Sequence, residues 1–256
     1  MVQGSAGGIG YLAGCWPPDS AKSTIFFIHG AGGSSFFWQA QVEGLAHRVN
    51  TIALDLPGHG RSSGSGYETI AAYSRSVVEF IEALEATNPV ICGISMGGAV
   101  CQQILLDAPD LLKAGILINT GARLRAAPVI FDAIDKDYTR YLSLISQFVG
   151  SKTTAPEHLK RFQEEAARCK PEVTRRDFLA CDGFDVMQRL GSITLPVLVV
   201  SSENDQLTPP KYGEFLEKNI PGATRVTVPE AGHILPMEKP EELNRTIIDF
   251  LDHSNL

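Results

Sequence analysis

Short apolar runs alternate along this chain with segments whose apolar residues recur at helical spacing. Thr24–Ile28 and Val90–Cys92 lack polar alternation and predict strands buried on both faces. Val49–Leu54, Ala114–Ile118, Leu195–Val200 and Thr224–Val228 read as further strands, and Ile9–Ala13 as an edge strand or hairpin arm. Between them Phe36–Leu45, Ile70–Leu84, Ala99–Leu106, Pro210–Asn219 and Glu241–Asp252 read as helices; Val77, Phe80, Ile81 and Leu84 form one stripe. Such alternation predicts an α/β fold, a mostly parallel sheet with helices on both faces. The alternation breaks near Gly121. Residues 121–190 hold helical stretches over Val129–Val149, Glu157–Cys169 and Thr174–Leu190 and little strand pattern. They read as a helical cap over the carboxyl edge of the sheet, inserted into a core of residues 1–120 and 191–256.

One stretch organises the rest. Val90–Cys92 runs into Gly93-Ile94-Ser95-Met96-Gly97, a G-x-S-x-G pattern, and then into a helix. A serine on so sharp a strand-to-helix turn has a strained backbone, and the glycines remove Cβ atoms that would collide. The turn lifts the Ser95 hydroxyl out of the sheet and puts the Met96 amide at a helix N-terminus, where free N–H groups favour an oxyanion. By contrast Gly8-Ile9-Gly10-Tyr11-Leu12-Ala13 only imitates a dinucleotide fingerprint. No apolar strand precedes it, and Trp16-Pro17-Pro18 stands near where a helix should begin.

Reactive groups in open α/β sheets gather at the carboxyl ends of strands. Ser95 follows one strand, Asp205 follows Leu195–Val200, and His233 follows Thr224–Val228. A serine hydroxyl needs a base to become a nucleophile, histidine exchanges a proton near neutral pH, and an acid fixes the histidine tautomer. Ser95, His233 and Asp205 are therefore the candidate triad, with Glu203 and Glu230 as alternative acids. An oxyanion hole needs two donors. Met96 N–H is one; Ala31 N–H, in the loop after Thr24–Ile28, is the other, with Gly32 as its alternative. His29 reads as an organiser of that loop, and His59 as a structural residue of the dense turn Asp55–Ser62.

Composition narrows the partners. The chain has 256 residues, 44% of them hydrophobic, with a net charge of −7, which argues against nucleic acid as a general partner. No stretch reaches the length of a membrane span, and the N-terminal residues lack the basic and apolar regions of a signal peptide. The five cysteines are odd in number, show no C-x-x-C spacing and read mainly as small buried hydrophobes. A cytoplasmic protein is the expectation. No H-x-x-H, H-E-x-x-H or carboxylate cluster points to a metal.

The His29-Gly30 loop, the Asp55–Ser62 turn, the Ser95 elbow, Asp205 with Pro209 close behind, and Gly232-His233 together resemble the α/β-hydrolase superfamily across nearly the whole chain. The resemblance implies an eight-stranded sheet whose second strand is antiparallel, with a lid inserted after the sixth strand. It also implies hydrolysis through an acyl-enzyme without a cofactor. Relatives that cleave halides or epoxides carry aspartate at the elbow, so Ser95 leaves carboxylic esters, thioesters, lactones and certain C–C bonds. The expectation is a serine hydrolase acting on a small or medium ester. Other readings are a C–C hydrolase, perhydrolase or acyltransferase with the same triad, or a non-catalytic ligand-binding protein. Phe131, Tyr138, Tyr141 and Phe148 are candidates to shape an apolar pocket from the lid. Arg123 or Arg125, just past a strand end, is a candidate for a substrate carboxylate.

Overall fold

The structure is a computed structural model describing residues 1–256. Its strands are β1 (Val2–Ala6), β2 (Ile9–Ala13), β3 (Thr24–Ile28), β4 (Asn50–Leu54), β5 (Pro89–Ile94), β6 (Ala114–Ile118), β7 (Val197–Ser202) and β8 (Thr224–Val228). They form one sheet in the order β1-β2-β4-β3-β5-β6-β7-β8. β2 is antiparallel to both neighbours, and every other pairing from β4 to β8 is parallel. The sequence pattern leaves β1 unread, because Val2–Ala6 buries no residue and has no apolar run. Its place is set by Gly7 and Gly8, at φ 56° and 82°, which make the two-residue turn of a hairpin. The glycines of the apparent dinucleotide fingerprint thus serve a turn and a strand.

Period-two alternation divides the core. Phe26 and Ile28 face a cluster that includes residues of α2 (Ile70–Ala83) and α3 (Met96–Asp107); Ile25 and Phe27 face α1 (Gln39–Leu45) and the C-terminal helix (Pro240–His253). Thus each β3 side chain is buried, whichever face it takes. α3 begins directly after Ser95, so the helix starts earlier than its composition predicts and includes Gly97 and Gly98.

Four helices stand between β6 and β7: α4 (Pro128–Lys136), α5 (Tyr138–Val149), α6 (Pro156–Ala166) and α7 (Pro171–Asp182). The single helix expected over Val129–Val149 is two. The break falls at Asp137, whose carboxylate accepts the Arg140 N–H and caps α5. The stretch Thr174–Leu190 is helical only to Asp182; from Gly183 the chain turns, and Asp185 bridges back to Arg123. After β7 come α8 (Pro210–Asn219), the short α9 (Leu235–Glu238) and α10 (Pro240–His253).

Candidate active site

Ser95 sits between β5 and α3 at φ 55°, in the left-handed region that a side chain disfavours. Two glycines permit the turn. A Cβ on Gly93 would strike the Gly97 carbonyl, and one on Gly97 would strike the Ile28 carbonyl on the neighbouring strand. The Ser95 N–H is held by the Ile118 and Asn119 carbonyls at 3.1 and 3.2 Å, so β6 fixes the strained residue. Met96 is the first residue of α3, and its N–H lies where an α-helix leaves donors unpaired.

His233 and Asp205 meet at the ends of β8 and β7. His233 Nδ1 lies 2.8 Å from Asp205 Oδ2. Asp205 is 4% exposed and accepts three further bonds: Leu207 N–H and Thr208 N–H to Oδ1 at 2.8 and 2.9 Å, and the Thr208 hydroxyl to Oδ2 at 2.7 Å. Burial raises the Asp205 carboxyl pKa, but the neighbouring His233 and these donors outweigh it, so the group lies below the usual carboxylate value. The His233 loop is braced from β6. Buried Asn119 donates to the Gly232 and His233 carbonyls at 3.2 and 3.1 Å and accepts the Ser202 N–H at 2.8 Å. Helix α5 braces it too, since the His233 N–H donates to the Val149 carbonyl at 2.7 Å.

The loop after β3 is gripped at both ends. His29 Nδ1 lies 2.7 Å from the Gly30 carbonyl, and His29 Nε2 accepts the Leu56 N–H at 3.0 Å. One nitrogen donates and the other accepts, which defines a neutral ring. Burial and the nearby His59 charge push its pKa down to about 4. His59 has the opposite surroundings. Its Nδ1 faces the Pro57 carbonyl at 3.2 Å and its Nε2 faces Asp177 Oδ2 at 2.8 Å. Both partners are acceptors, so both nitrogens carry protons. Burial alone would strip one, but the Asp177 carboxylate outweighs it and holds His59 well above the usual histidine range. Asp177 also takes up the Gly32 N–H at 2.8 Å, whereas the Ala31 N–H has no protein partner. Of the two loop amides, Ala31 is the free one, and Ala31 rather than Gly32 lines the cavity.

Ser95 and His233 open onto the same cavity of about 420 Å³. Tyr141 and Phe148 line it; Phe131 and Tyr138 do not. Phe131 instead packs beneath the Arg175 guanidinium, 5.8 Å from its ring centroid. The Tyr138 hydroxyl is spent on Thr174 and the Ala166 carbonyl at 2.8 and 3.2 Å. Phe37, Phe162, Phe178 and Tyr212 supply the remaining aromatic walls. Arg123 faces a smaller neighbouring cavity with Lys211, outside the main one. Arg125 does line the main cavity, but one of its nitrogens donates to its neighbour's Leu124 carbonyl at 2.7 Å and to the Asp182 carbonyl at the end of α7 at 2.6 Å.

A strained serine at a strand-to-helix elbow, in an eight-stranded sheet with one antiparallel inner strand, defines an α/β-hydrolase fold. A model of the alpha/beta hydrolase family matches residues 25–246, and the chain belongs to that family. It is 32% identical to a provisionally named carbamate hydrolase, RutD, of Variovorax paradoxus, over 89% of this chain and 91% of that protein. It is 26% identical to 3-oxoadipate enol-lactonase 2 of Acinetobacter baylyi, over 88% of this chain and 87% of that one. A thermophilic esterase of known structure superposes with a TM-score of 0.84 at 28% identity, covering 99% of this chain and 97% of that chain. No helix is long and apolar enough to cross a membrane.

Proposed function

We propose that this chain is a serine hydrolase that cleaves a small or medium carboxylic ester or lactone through an acyl-enzyme. The observation that carries the reading is that His233, hydrogen-bonded to Asp205, and the strained Ser95 line one apolar cavity. With Nδ1 committed to Asp205, His233 Nε2 is left to accept the Ser95 proton. Ser95 Oγ attacks the carbonyl carbon, and the C=O electron pair moves to oxygen. The Ala31 and Met96 N–H groups receive that oxyanion. Collapse breaks the carbonyl carbon–oxygen bond to the alcohol, which leaves with the proton from His233. Water then repeats the sequence, losing a proton to His233 and releasing the carboxylic acid and free Ser95.

The cavity supports an ester with apolar groups. Its lining holds no acidic side chain, and Arg125 is its one permanent charge. The helical segment over residues 121–190 acts in this reading as the cap that closes the site from solvent. The names of the two relatives, a carbamate hydrolase and an enol-lactonase, share a carbonyl carbon bonded to a leaving heteroatom.

A fluorophosphonate probe tests the assignment. One adduct on Ser95 is expected, together with turnover of p-nitrophenyl esters that Ser95→Ala lowers by on the order of 10⁴-fold or more. Absence of a Ser95 adduct, or ester turnover that survives Ser95→Ala, would overturn it. Running diketones and peroxide with acyl donors beside the esters separates ester hydrolysis from C–C cleavage and perhydrolysis.

A further inference from the structure

Asp177 takes no part in those proton transfers, yet it is wholly buried and bonded to the loop that carries Ala31. It projects from α7 and gathers three donors from distant parts of the chain. Oδ2 accepts the Gly32 N–H and His59 Nε2, each at 2.8 Å, and Oδ1 accepts the Tyr73 hydroxyl. The donors belong to the loop after β3, the turn after β4, and α2. Stability alone is a poor reason for such a group, because apolar packing of equal volume commonly serves as well as a buried ion pair.

The peptide units on either side of Ala31 give a better reason. In the first, the Gly30 carbonyl is held by His29 Nδ1 at 2.7 Å and by the Gly33 N–H at 3.1 Å. A trans peptide is planar, so fixing that C=O fixes the Ala31 N–H pointing the opposite way. In the second unit, the Gly32 N–H is fixed by Asp177. Gly32 itself is at φ 66°, and a Cβ there would stand 3.3 Å from Thr174 Oγ1 on the same helix as Asp177. Without the carboxylate, the second plane is free to rotate and the loop loses one of its two anchors. The adjacent His59 cation has a separate part. Its imidazolium pairs with the carboxylate at 2.8 Å, so Asp177 is not a lone buried anion at the loop.

We propose that Asp177 is a positioning residue for the oxyanion site: by clamping the Gly32 N–H it holds the peptide plane after Ala31, as His29 and the Gly33 N–H hold the plane before it, so the Ala31 N–H is pinned from both sides only once α7 has docked. This rests on the reading of Ser95 as the nucleophile and names the part of the helical segment on which that site depends.

Steady-state kinetics of the full chain test it, with active sites counted by fluorophosphonate labelling run to completion. Asp177→Ala should lower kcat per labelled site on the order of 10²-fold, the scale of losing one oxyanion donor, with KM within about threefold of wild type. A trifluoromethyl ketone, which adds Ser95 to form a tetrahedral oxyanion, should lose affinity by the same factor. Asp177→Asn, whose amide oxygen can still accept the Gly32 N–H but as a weaker neutral acceptor, should stand about tenfold above the Ala variant in both and about tenfold below wild type. Wild-type kcat in folded Asp177→Ala, a loss in KM alone, or an Asn variant no better than Ala would overturn the proposal. If Asp177→Ala does not fold, Asp177→Asn carries the test against wild type. About a tenfold parallel loss of kcat and ketone affinity is expected from the weaker neutral acceptor, and unchanged values overturn it. A wild-type chain that neither labels at Ser95 nor turns over ester would instead strike the serine-hydrolase reading.

Discussion

The rings of His29 and His59 lie 4.8 Å apart, and the two residues hold opposite protonation states. Each ring's hydrogen-bond partners decide its state. His29 meets one acceptor and one donor, and His59 meets two acceptors. Burial first, and then repulsion from the His59 cation, keeps His29 neutral.

This pair predicts two opposite contributions to stability across pH. The folded His29 pKa falls from 6.5 to about 4, so its contribution is complete above 6.5 and is lost as the pH drops through that interval. The folded His59 pKa is raised above 6.5, so its contribution is complete below that value and is lost as the pH climbs through the folded pKa. Chemical denaturation from pH 4 to 9 should show His29→Asn destabilised least at the acid end. His59→Gln should be destabilised least at the alkaline end.

Thr208 is expected to act through Asp205. Its hydroxyl donates to the same oxygen that faces His233, at 2.7 Å. Thr208→Val keeps the shape and removes that donor, so the Asp205 pKa should rise toward the ordinary carboxylate value. An ester assay should show kcat/KM about tenfold lower, the equivalent of about 1.4 kcal/mol for one charge-assisted hydrogen bond. A pH profile should show the acid limb displaced to higher pH.

The elbow tolerates no Cβ at Gly97. Gly97→Ala would press a methyl group against the Ile28 carbonyl, which the sheet holds in place. A loss of about 1–3 kcal/mol in denaturant unfolding is expected for such overpacking, with slower fluorophosphonate labelling because Ser95 is displaced. Gly191, whose added Cβ would meet nothing within 4 Å, is the control, and Gly191→Ala should match wild type in labelling rate.

The two arginines past β6 should behave differently. Arg125 ties the Asp182 carbonyl at the end of α7 to the Leu124 carbonyl after β6, although its side chain is 54% exposed. Arg125→Ala should reduce stability by about 1 kcal/mol once solvent screening is allowed for. Arg123 makes only a 4.0 Å contact with Asp185, and Arg123→Ala should stay within about 0.5 kcal/mol of wild type. Because Arg123 lies outside the main cavity, its removal should leave the KM ratio of acidic to neutral esters unchanged. Paired KM measurements on a hemisuccinate and an alkyl ester check this.

Local chemistry made much of this protein legible from its residues alone. The buried strands, the Ser95 elbow between glycines, and the order of Ser95, Asp205 and His233 at strand ends all depend on periodicity or on neighbours within a few positions. The Asp137 break in α4–α5 was equally local, an N-cap aspartate hidden by a continuous apolar stripe. Only the folded chain decided the rest. Asp177 stands in Arg175-Arg176-Asp177-Phe178, an unremarked helical stretch, and its partners His59 and Gly32 lie 118 and 145 positions away. Nothing in a helical repeat encodes which distant donor a side chain will meet, because that pairing exists only after α7 docks on the loops that follow β3 and β4. The same holds for the walls of the cavity. Phe131 and Phe178 are both helical aromatics in sequence, and the rotation of each packed helix settled that Phe178 faces the cavity while Phe131 lies under Arg175.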